Sequence, residues 1–304
     1  MKRKALVIGS EGNIGIPLVK YLKDKGYDVL ETDIRSGWRE NYFMADINYP
    51  IDLLSVFDWK PDVVFMLSAI VSRVTCEQAS SLSIATNLSG LNNIIQLTKR
   101  ANAMFVYFST SEVYGPDAEF MDELLTKPVP NNRYGLSKLL GESLVEYEVR
   151  NYGFKAVTLR PFMMYDENED WGDHRSAMIR FAVNLAQNKT IEVHKGSARP
   201  WLHVSDAVKA IEASANVKEY AIINIGHHHV ISVADLAELI RSELNAPKEL
   251  IIFNDLPTRM TLVKNPSTKR MNEILGVFPA VSIEEGVKWV CEKVKLKILN
   301  GTLS

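Results

Sequence analysis

Short, unbroken apolar runs recur along the first half of the chain, at Ala5–Ile8, Val29–Leu30, Val63–Leu67, Phe105–Phe108 and Ala156–Leu159. A strand that is apolar at every position, not every second one, buries both of its faces. Stretches with helical spacing lie between the runs. Ile14, Leu18, Val19 and Leu22 share one face before a stop at Gly26, and Ala85–Ala101 and Asn132–Tyr152 follow the later runs. This alternation predicts an α/β fold, a parallel sheet with helices on both faces. The 304 residues suffice for one large domain or two closely joined ones.

After Arg160-Pro161 the regularity weakens. Asp166–Asp173 is acidic, lacks a hydrophobic period and reads as a loop. Val204–Val217 and Ile222–Ile225 read as a helix and a strand that return to the first sheet. The rest, with helical patterns at Val233–Leu244 and Ile283–Leu296, reads as a smaller mixed lobe. The predicted division is therefore residues 1–160, joined again by 203–226, and residues 161–304 as mainly a second lobe. The charge is -2 and both signs are scattered, which argues against nucleic acid as a partner. No apolar run reaches the eighteen or so residues of a membrane span. The start, Met1-Lys2-Arg3-Lys4-Ala5-Leu6-Val7-Ile8-Gly9, reads as a first strand and not a secretory signal. Cys76 and Cys291 form no metal or disulfide spacing, and the cytoplasm is the expected location.

Gly9-Ser10-Glu11-Gly12-Asn13-Ile14-Gly15 follows the first strand and opens the first helix. Glycines there permit positive φ, close approach of backbone to a pyrophosphate, and tight packing of helix on strand. The helix N-terminus adds free N–H groups and a dipole that favours an anion. The spacing is GxxGxxG, one step from the general dinucleotide fingerprint. Asp33, ending the second strand, stands where an acid meets the adenosine ribose. It repels a 2′-phosphate and so favours NAD over NADP, while the nearby Arg35 softens that preference. Asp46 and Ile47, after a short third strand, are placed to flank the adenine.

Two further segments carry chemistry: Ser109-Thr110-Ser111-Glu112-Val113-Tyr114-Gly115 and Tyr134-Gly135-Leu136-Ser137-Lys138. On a helix, Tyr134 and Lys138 share a face. A tyrosine is a poor base at neutral pH, and making it one takes about 4 kcal/mol. A neighbouring ammonium and an oxidised nicotinamide both favour phenolate. Lys138 can supply the first and also reach the nicotinamide ribose. Thr110 or Ser111 would hydrogen-bond the reacting hydroxyl. Glu112, if it points inward, can act as general base at the carbon beside a new ketone.

These segments together resemble the extended short-chain dehydrogenase/reductases, in the nucleotide-sugar epimerase/dehydratase branch. The resemblance runs nearly end to end. It includes Leu67-Ser68-Ala69, Asn87-Leu88-Ser89-Gly90-Leu91-Asn92-Asn93, Leu159-Arg160-Pro161-Phe162, Arg199-Pro200-Trp201-Leu202-His203-Val204-Ser205-Asp206, Asn224-Ile225-Gly226 and Ser282-Ile283-Glu284-Glu285-Gly286. It implies a Rossmann-type, doubly wound sheet that holds NAD, with a smaller C-terminal mixed α/β lobe gripping a nucleotide diphosphate sugar. Such enzymes oxidise the sugar, usually at C4, and use the ketone to epimerise, dehydrate or decarboxylate. By position it implies Tyr134 as base with Lys138 as partner, Thr110 and Ser111 holding the sugar, and Arg199 meeting substrate phosphate. It implies a cofactor site from Gly9, Gly12, Asn13, Ile14, Gly15, Asp33, Ile34, Arg35, Asp46, Ile47, Leu67, Ser68, Ala69, Asn87, Tyr134, Lys138 and Pro161. It also implies a homodimer that pairs the helices at Ala85–Ala101 and Asn132–Tyr152.

The departures are informative. Met163 stands in place of the Asn that usually helps hold the substrate diphosphate, and Pro200 in place of a common Asp. The STSEVYG form resembles members that decarboxylate or dehydrate, but Ser111 occupies the position of the acid typical of hexose 4,6-dehydratases. Arg73 is placed to approach the sugar and Arg259 the distal phosphate. Two other outcomes stay open: a net 4-dehydrogenase or decarboxylase, and a non-catalytic NAD-sensing module. His227-His228-His229 are adjacent and cannot readily converge on one tetrahedral site, so no metal is expected. His203, Asp206 and a serine form no triad, because no GxSxG elbow exists.

Overall fold

The computed structural model describes residues 2–172, 175–256 and 260–303. In its first part, strands β1 (Lys4–Ile8), β2 (Asp28–Asp33), β3 (Tyr42–Met44), β4 (Val63–Met66), β5 (Met104–Phe108) and β6 (Ala156–Pro161) alternate with helices. The helices are α1 (Gly15–Asp24), α2 (Pro50–Asp58), α3 (Arg73–Gln78), α4 (Ser80–Ile84), α5 (Leu91–Ala101) and α6 (Arg133–Tyr152). The later part comprises β7 (Met163–Tyr165), α7 (Ala177–Ala186), β8 (Ile191–His194), β9 (Ala198–His203), α8 (Val204–Ser214), β10 (Ile222–Ile225) and β11 (Val230–Ser232). It ends with α9 (Val233–Leu244), β12 (Ile251–Asn254), α10 (Lys269–Leu275) and α11 (Ile283–Leu299).

The central sheet has seven strands in the order β10-β6-β5-β4-β1-β2-β3, every pair parallel. On one face, Leu18, Leu22, Ala207 and Ile211 from α1 and α8 pack on Val7, Phe65 and Val106. On the other, Leu53, Val56, Ile94, Ile95 and Val145 from α2, α5 and α6 pack on Leu6, Leu30 and Phe105. Covering both faces is what unbroken apolar strands require. Parallel strands all end at one edge, and the loops that follow them gather there. A separate core fills the second lobe, where α7, α9 and α11 meet at Phe181, Leu236, Ile240 and Val290. Two small sheets, β11-β9-β7 and β12-β8, flank it. Strand β10 adds to β6, and α8 packs on α1, so the chain returns to the first sheet after leaving it.

The helix expected over Ala85–Ala101 is not uniform. Ala85–Gly90 wind as a π turn, and α5 begins at Leu91. Such turns widen a helix locally and are frequent at functional sites. Here the turn carries Asn87, and it passes close to Ile47: a Cβ on Gly90 would sit 2.7 Å from the Ile47 side chain.

A buried ion pair joins α6 to the sheet. Glu142 accepts from Arg160 Nε at 2.9 Å and Nη2 at 2.7 Å, and from the Ser109 hydroxyl. The guanidinium also stacks 4.7 Å from the Tyr114 ring, whose hydroxyl donates to Asn224 Oδ1 at 2.8 Å. Removing one partner of a buried pair strands the other charge, whereas replacing both by apolar groups is far milder. Arg160→Met is therefore expected to cost about 3–5 kcal/mol in urea-denaturation experiments. The double change E142L/R160M should recover most of that loss.

Candidate active site

The site is assembled where β1, β2, β4, β5 and β6 end. After β1, Gly9 has φ +90°, and a Cβ there would lie 2.8 Å from Ser68 N. A side chain would therefore push away the Leu67-Ser68-Ala69 segment, whose Leu67 and Ser68 amides donate to the Ile8 carbonyl at 2.9 and 3.1 Å. A Cβ on Gly15 would overlap the Gly9 carbonyl, so α1 can start this close to the turn only with glycine. Gly12 and Asn13 are exposed on the outer side of the turn. Helix α1 has no side-chain cap and no acid in its first turn. The turn also buries the Ser10 hydroxyl, which has no hydrogen-bond partner among the described residues. An uncapped helix start with exposed backbone in front of it suits an anion such as a pyrophosphate.

Asp33 closes the turn from β2. Its Oδ2 accepts from Glu11 N at 3.1 Å and its Oδ1 from Arg35 N at 3.2 Å. Ile34 and Arg35 are exposed, and Arg35 Nη1 donates to the Glu11 carbonyl at 3.0 Å. Asp46 accepts from Asn48 N at 2.9 Å, while Ile47 is buried under Gly90 with its carbonyl held by Asn93 Nδ2 at 2.9 Å. Asn87 holds the strand ends to the helix. Its Oδ1 accepts from Ile70 N at 2.8 Å, and its Nδ2 donates to the Ile70 carbonyl at 3.1 Å and to Ser137 Oγ at 2.9 Å.

Beyond β5 the chain makes a 3₁₀ turn, Ser111–Tyr114, capped by Thr110 Oγ1 accepting from Glu112 N at 3.2 Å. Asn132 then caps α6 through Oδ1 to Gly135 N at 2.8 Å, and its Nδ2 donates to Glu112 Oε2 at 2.9 Å. One residue thus starts the helix that carries Tyr134 and Lys138 and also aims Glu112. Tyr134 is half-buried and lies near Thr110. Burial raises its phenol pKa, the Thr110 contact opposes that, and Glu112 adds to it. Lys138 is buried and donates to the Phe108 carbonyl at 2.6 Å. Burial brings its pKa down to about 7, against the opposing pull of Glu142.

The sequence pattern does not foreshadow Lys264. It lies 153 residues after Ser111, in a segment without a motif, yet its Nζ donates to Ser111 Oγ at 3.0 Å and to Glu112 Oε1 at 2.5 Å. Its segment is held on both sides: Lys264 N donates to the Ala198 carbonyl at 3.1 Å, and Met121 N to the Asn265 carbonyl at 2.8 Å. Arg199 is buried and donates from Nη1 to the Leu262 carbonyl and from Nη2 to the Thr261 carbonyl, each at 2.7 Å, bracing the same segment. Arg73 Nε is 3.9 Å from Glu112 Oε2. Met163 lies in β7, in register with Trp201, and Pro161 ends β6. Arg259 lies outside the described residues. Among the described residues no group of His, Cys, Asp and Glu could hold a metal ion, and no helix is long and apolar enough to cross a membrane.

Sequence reading also passed over Glu142, although Tyr134, Lys138 and Glu142 repeat at four-residue spacing on α6 and the signal was available. Burial raises the Glu112 carboxyl pKa, but Lys264, Arg73 and Asn132 outweigh it and bring it down to about 2. A depressed carboxylate stabilises the fold above its unfolded pKa of about 4.3 and loses that contribution as pH falls towards 2. Glu112→Gln should therefore flatten the decline of unfolding free energy between about pH 4.3 and 2. Denaturant titrations of both proteins at a series of pH values check this.

The description of the family model that matches residues 5–226 is epimerase, NAD dependent epimerase/dehydratase family. The chain is 28% identical to a UDP-N-acetyl-alpha-D-glucosaminuronate decarboxylase of Bacillus cytotoxicus, over 95% of this chain and 96% of the relative. Among solved structures it is similar to a UDP-glucose 4-epimerase with UDP-glucose from Thermotoga maritima, with TM-score 0.90 and 24% identity over 97% of this chain and 99% of that one. It is similar also to MoeE5 in complex with UDP-glucuronic acid and NAD, with TM-score 0.86 and 21% identity over 97% and 99%.

Proposed function

The chain belongs to the NAD dependent epimerase/dehydratase family, and on that premise we propose that it oxidises the sugar of a nucleoside diphosphate sugar, at C4, to a ketone. The observation that carries this reading is the convergence of Thr110, Ser111, Tyr134 and Lys138 at the end of β5, on the same edge of the sheet as the glycine turn that follows β1. Bound NAD supplies the hydride acceptor and, when oxidised, a positive charge beside the phenol. Gly9, Gly12, Asn13, Ile14 and Gly15 hold its pyrophosphate on the α1 N-terminus, and Asp33 holds its adenosine ribose. Ile34, Arg35, Asp46 and Ile47 surround the adenine end, and Leu67, Ser68, Ala69, Asn87 and Pro161 line the path to the nicotinamide.

Tyr134 takes the proton of the sugar hydroxyl, with Thr110 and Ser111 orienting that hydroxyl. Because burial keeps the Tyr134 phenol protonated in the free chain, its action as base depends on positive charge gathered around it. Lys138, fixed on the Phe108 carbonyl, reaches the nicotinamide ribose. Residues 161–304, apart from the returning 203–226, form most of the pocket for the nucleotide and sugar. Arg73, Met163 and Arg199 belong to the substrate side of that pocket.

Replacing Tyr134 by Phe should lower turnover by at least about 10²-fold and leave NAD affinity unchanged in calorimetric titration. A Tyr134→Phe protein with near-normal turnover would mean that another group is the base. We further propose a homodimer through α5 and α6. Leu136, Leu140 and Tyr147 lie along one face of α6 and are 45%, 43% and 46% exposed, an apolar strip suited to a second copy. Sedimentation should find the wild type as a dimer and Leu140→Asp as a monomer.

A further inference from the structure

Tyr134 acts as a base only when positive charge is gathered beside it, and that charge has to persist in a buried site. Two cations are to stand there: the ammonium of Lys138 and, when bound, an oxidised nicotinamide. Each disfavours the other, and burial disfavours both. Lys138 is 3% exposed, and its Nζ meets the Phe108 carbonyl at 2.6 Å and the Tyr107 ring at 5.0 Å. A carbonyl and a ring face orient an ammonium, but neither supplies a countercharge.

Few groups face this ammonium from the elements packed around it. From α3 comes the Cys76 thiol, which burial keeps neutral by raising its pKa. From β5 comes the Tyr107 phenol, raised by burial in the same way. Residues Ser80–Gly90, which also pack on α6, carry no titratable side chain, and α5 brings Lys99 to Glu148 near the far end of α6. Glu112, on the turn after β5, acts on Tyr134 and is occupied by Lys264 and Asn132. The carboxylate that opposes the effect of burial on Lys138 is Glu142, one turn further along α6 and 3% exposed. Glu142 reaches Lys138 by a second route. It accepts from the Ser109 hydroxyl, and Ser109 follows Phe108, whose carbonyl seats the ammonium. Arg160, from β6, supplies the countercharge that lets a carboxylate be buried here, bonding to it at 2.9 and 2.7 Å. A buried pair of this kind adds little stability over two apolar residues of similar volume. Stability alone therefore does not account for a carboxylate at this position.

We propose that Glu142, balanced by Arg160, is a positioning residue for the oxidation: through Ser109 it fixes the carbonyl that seats Lys138, and its charge holds Lys138 as an ammonium beside Tyr134 when the second cation arrives. The proposal rests on the sugar-oxidising reading of this site. In this role Glu142 touches neither sugar nor cofactor and acts only through Lys138. Removing its charge favours the neutral amine, so the pH at which Lys138 gives up its proton falls. Turnover then fails first on the alkaline side, where Lys138 is neutral, and is kept best on the acid side. A residue needed only for folding would lower turnover alike at every pH.

The test uses the full chain loaded with NAD and two measurements over one range of pH. The first follows the Cε resonances of carbon-13-labelled lysine, with Lys138 assigned from Lys138→Met. The second follows reduced-nicotinamide absorbance in single turnovers with UDP-, dTDP-, GDP- and CDP-hexoses. The double change E142L/R160M removes both the charge and the contact with Ser109, whereas E142Q/R160M removes the charge and keeps an acceptor for Ser109. In both, the Lys138 midpoint is expected about one pH unit or more below that of the wild type. The alkaline limb of turnover should move with it, a loss of about tenfold at that limb. Glu142→Asp, which keeps the charge and Arg160, should hold the wild-type midpoint. A Lys138 midpoint unmoved in both double variants, or a loss of turnover equal at every pH, overturns the role of Glu142. So does a wild-type Lys138 that is already neutral where turnover is fastest, a result that needs no variant to fold. Oxidation of none of the sugars by the wild type overturns instead the reading of the site on which the proposal rests, and the Lys138 midpoint still decides what Glu142 does to that amine.

Discussion

The Glu142–Arg160 pair is the interaction on which the placement of the other groups depends. Glu142 lies one turn after Lys138 on α6, and Arg160 near the end of β6. Ser109, bonded to Glu142, is adjacent to Phe108, whose carbonyl fixes Lys138. Through Tyr114 the same network reaches Asn224, whose side chain donates to the Met121 carbonyl and whose amide donates to Glu123. Met121 in turn holds the segment that carries Lys264. Both cations of the site are therefore referenced to one buried network, not to mobile loops. Burying such a network is expensive unless its members are satisfied. Its return here is geometric: two strand ends, a helix and a distant loop are kept in register.

The two lysines sit in opposite electrostatic settings. Lys138 has carbonyl and ring neighbours and a carboxylate one turn away, and burial carries its pKa to about 7. Lys264 touches a carboxylate directly, and that contact is what depresses Glu112. An acid poised near neutrality beside Tyr134 and an ionised carboxylate beside a protonated amine are different tools. Under the proposed function the first serves the oxidation.

Much of this was legible in the sequence because it is local or periodic. Apolar runs, the GxxGxxG turn and the Tyr134–Lys138 spacing each report on a few neighbouring residues, and the parallel sheet with its edge of loops follows from them. The π turn at Ala85–Gly90 was not legible, since its contacts, Ile47 against Gly90 and the bonds of Asn87 to Ile70 and Ser137, are distant in sequence. The resemblance implies Arg199 as a phosphate ligand; its guanidinium also rests on the carbonyls of 261 and 262, contacts no local pattern encodes. Lys264 is the extreme case. A lone lysine in an irregular segment reads as a solvated charge, and only the closure of that segment over β9 buries it.

That closure bears on how one fold supports different outcomes. The groups assigned to the oxidation, Thr110, Tyr134 and Lys138, all come from β5, α6 and the loop between them, within a single βα unit of the sheet. Lys264 instead comes from a segment held by backbone bonds to Ala198 and Met121 and not by the central sheet. A substitution at 264 would leave every strand pairing and every hydrogen bond of Lys138 in place, because none of them passes through its side chain. Thr110, Tyr134 and Lys138 are thus built into the core, where change is costly, and Lys264 into a braced loop, where one side chain can be exchanged. The glycine turn and the Tyr134–Lys138 pair make the family recognisable, and the contacts of Lys264 with Ser111 and Glu112 lie outside both motifs.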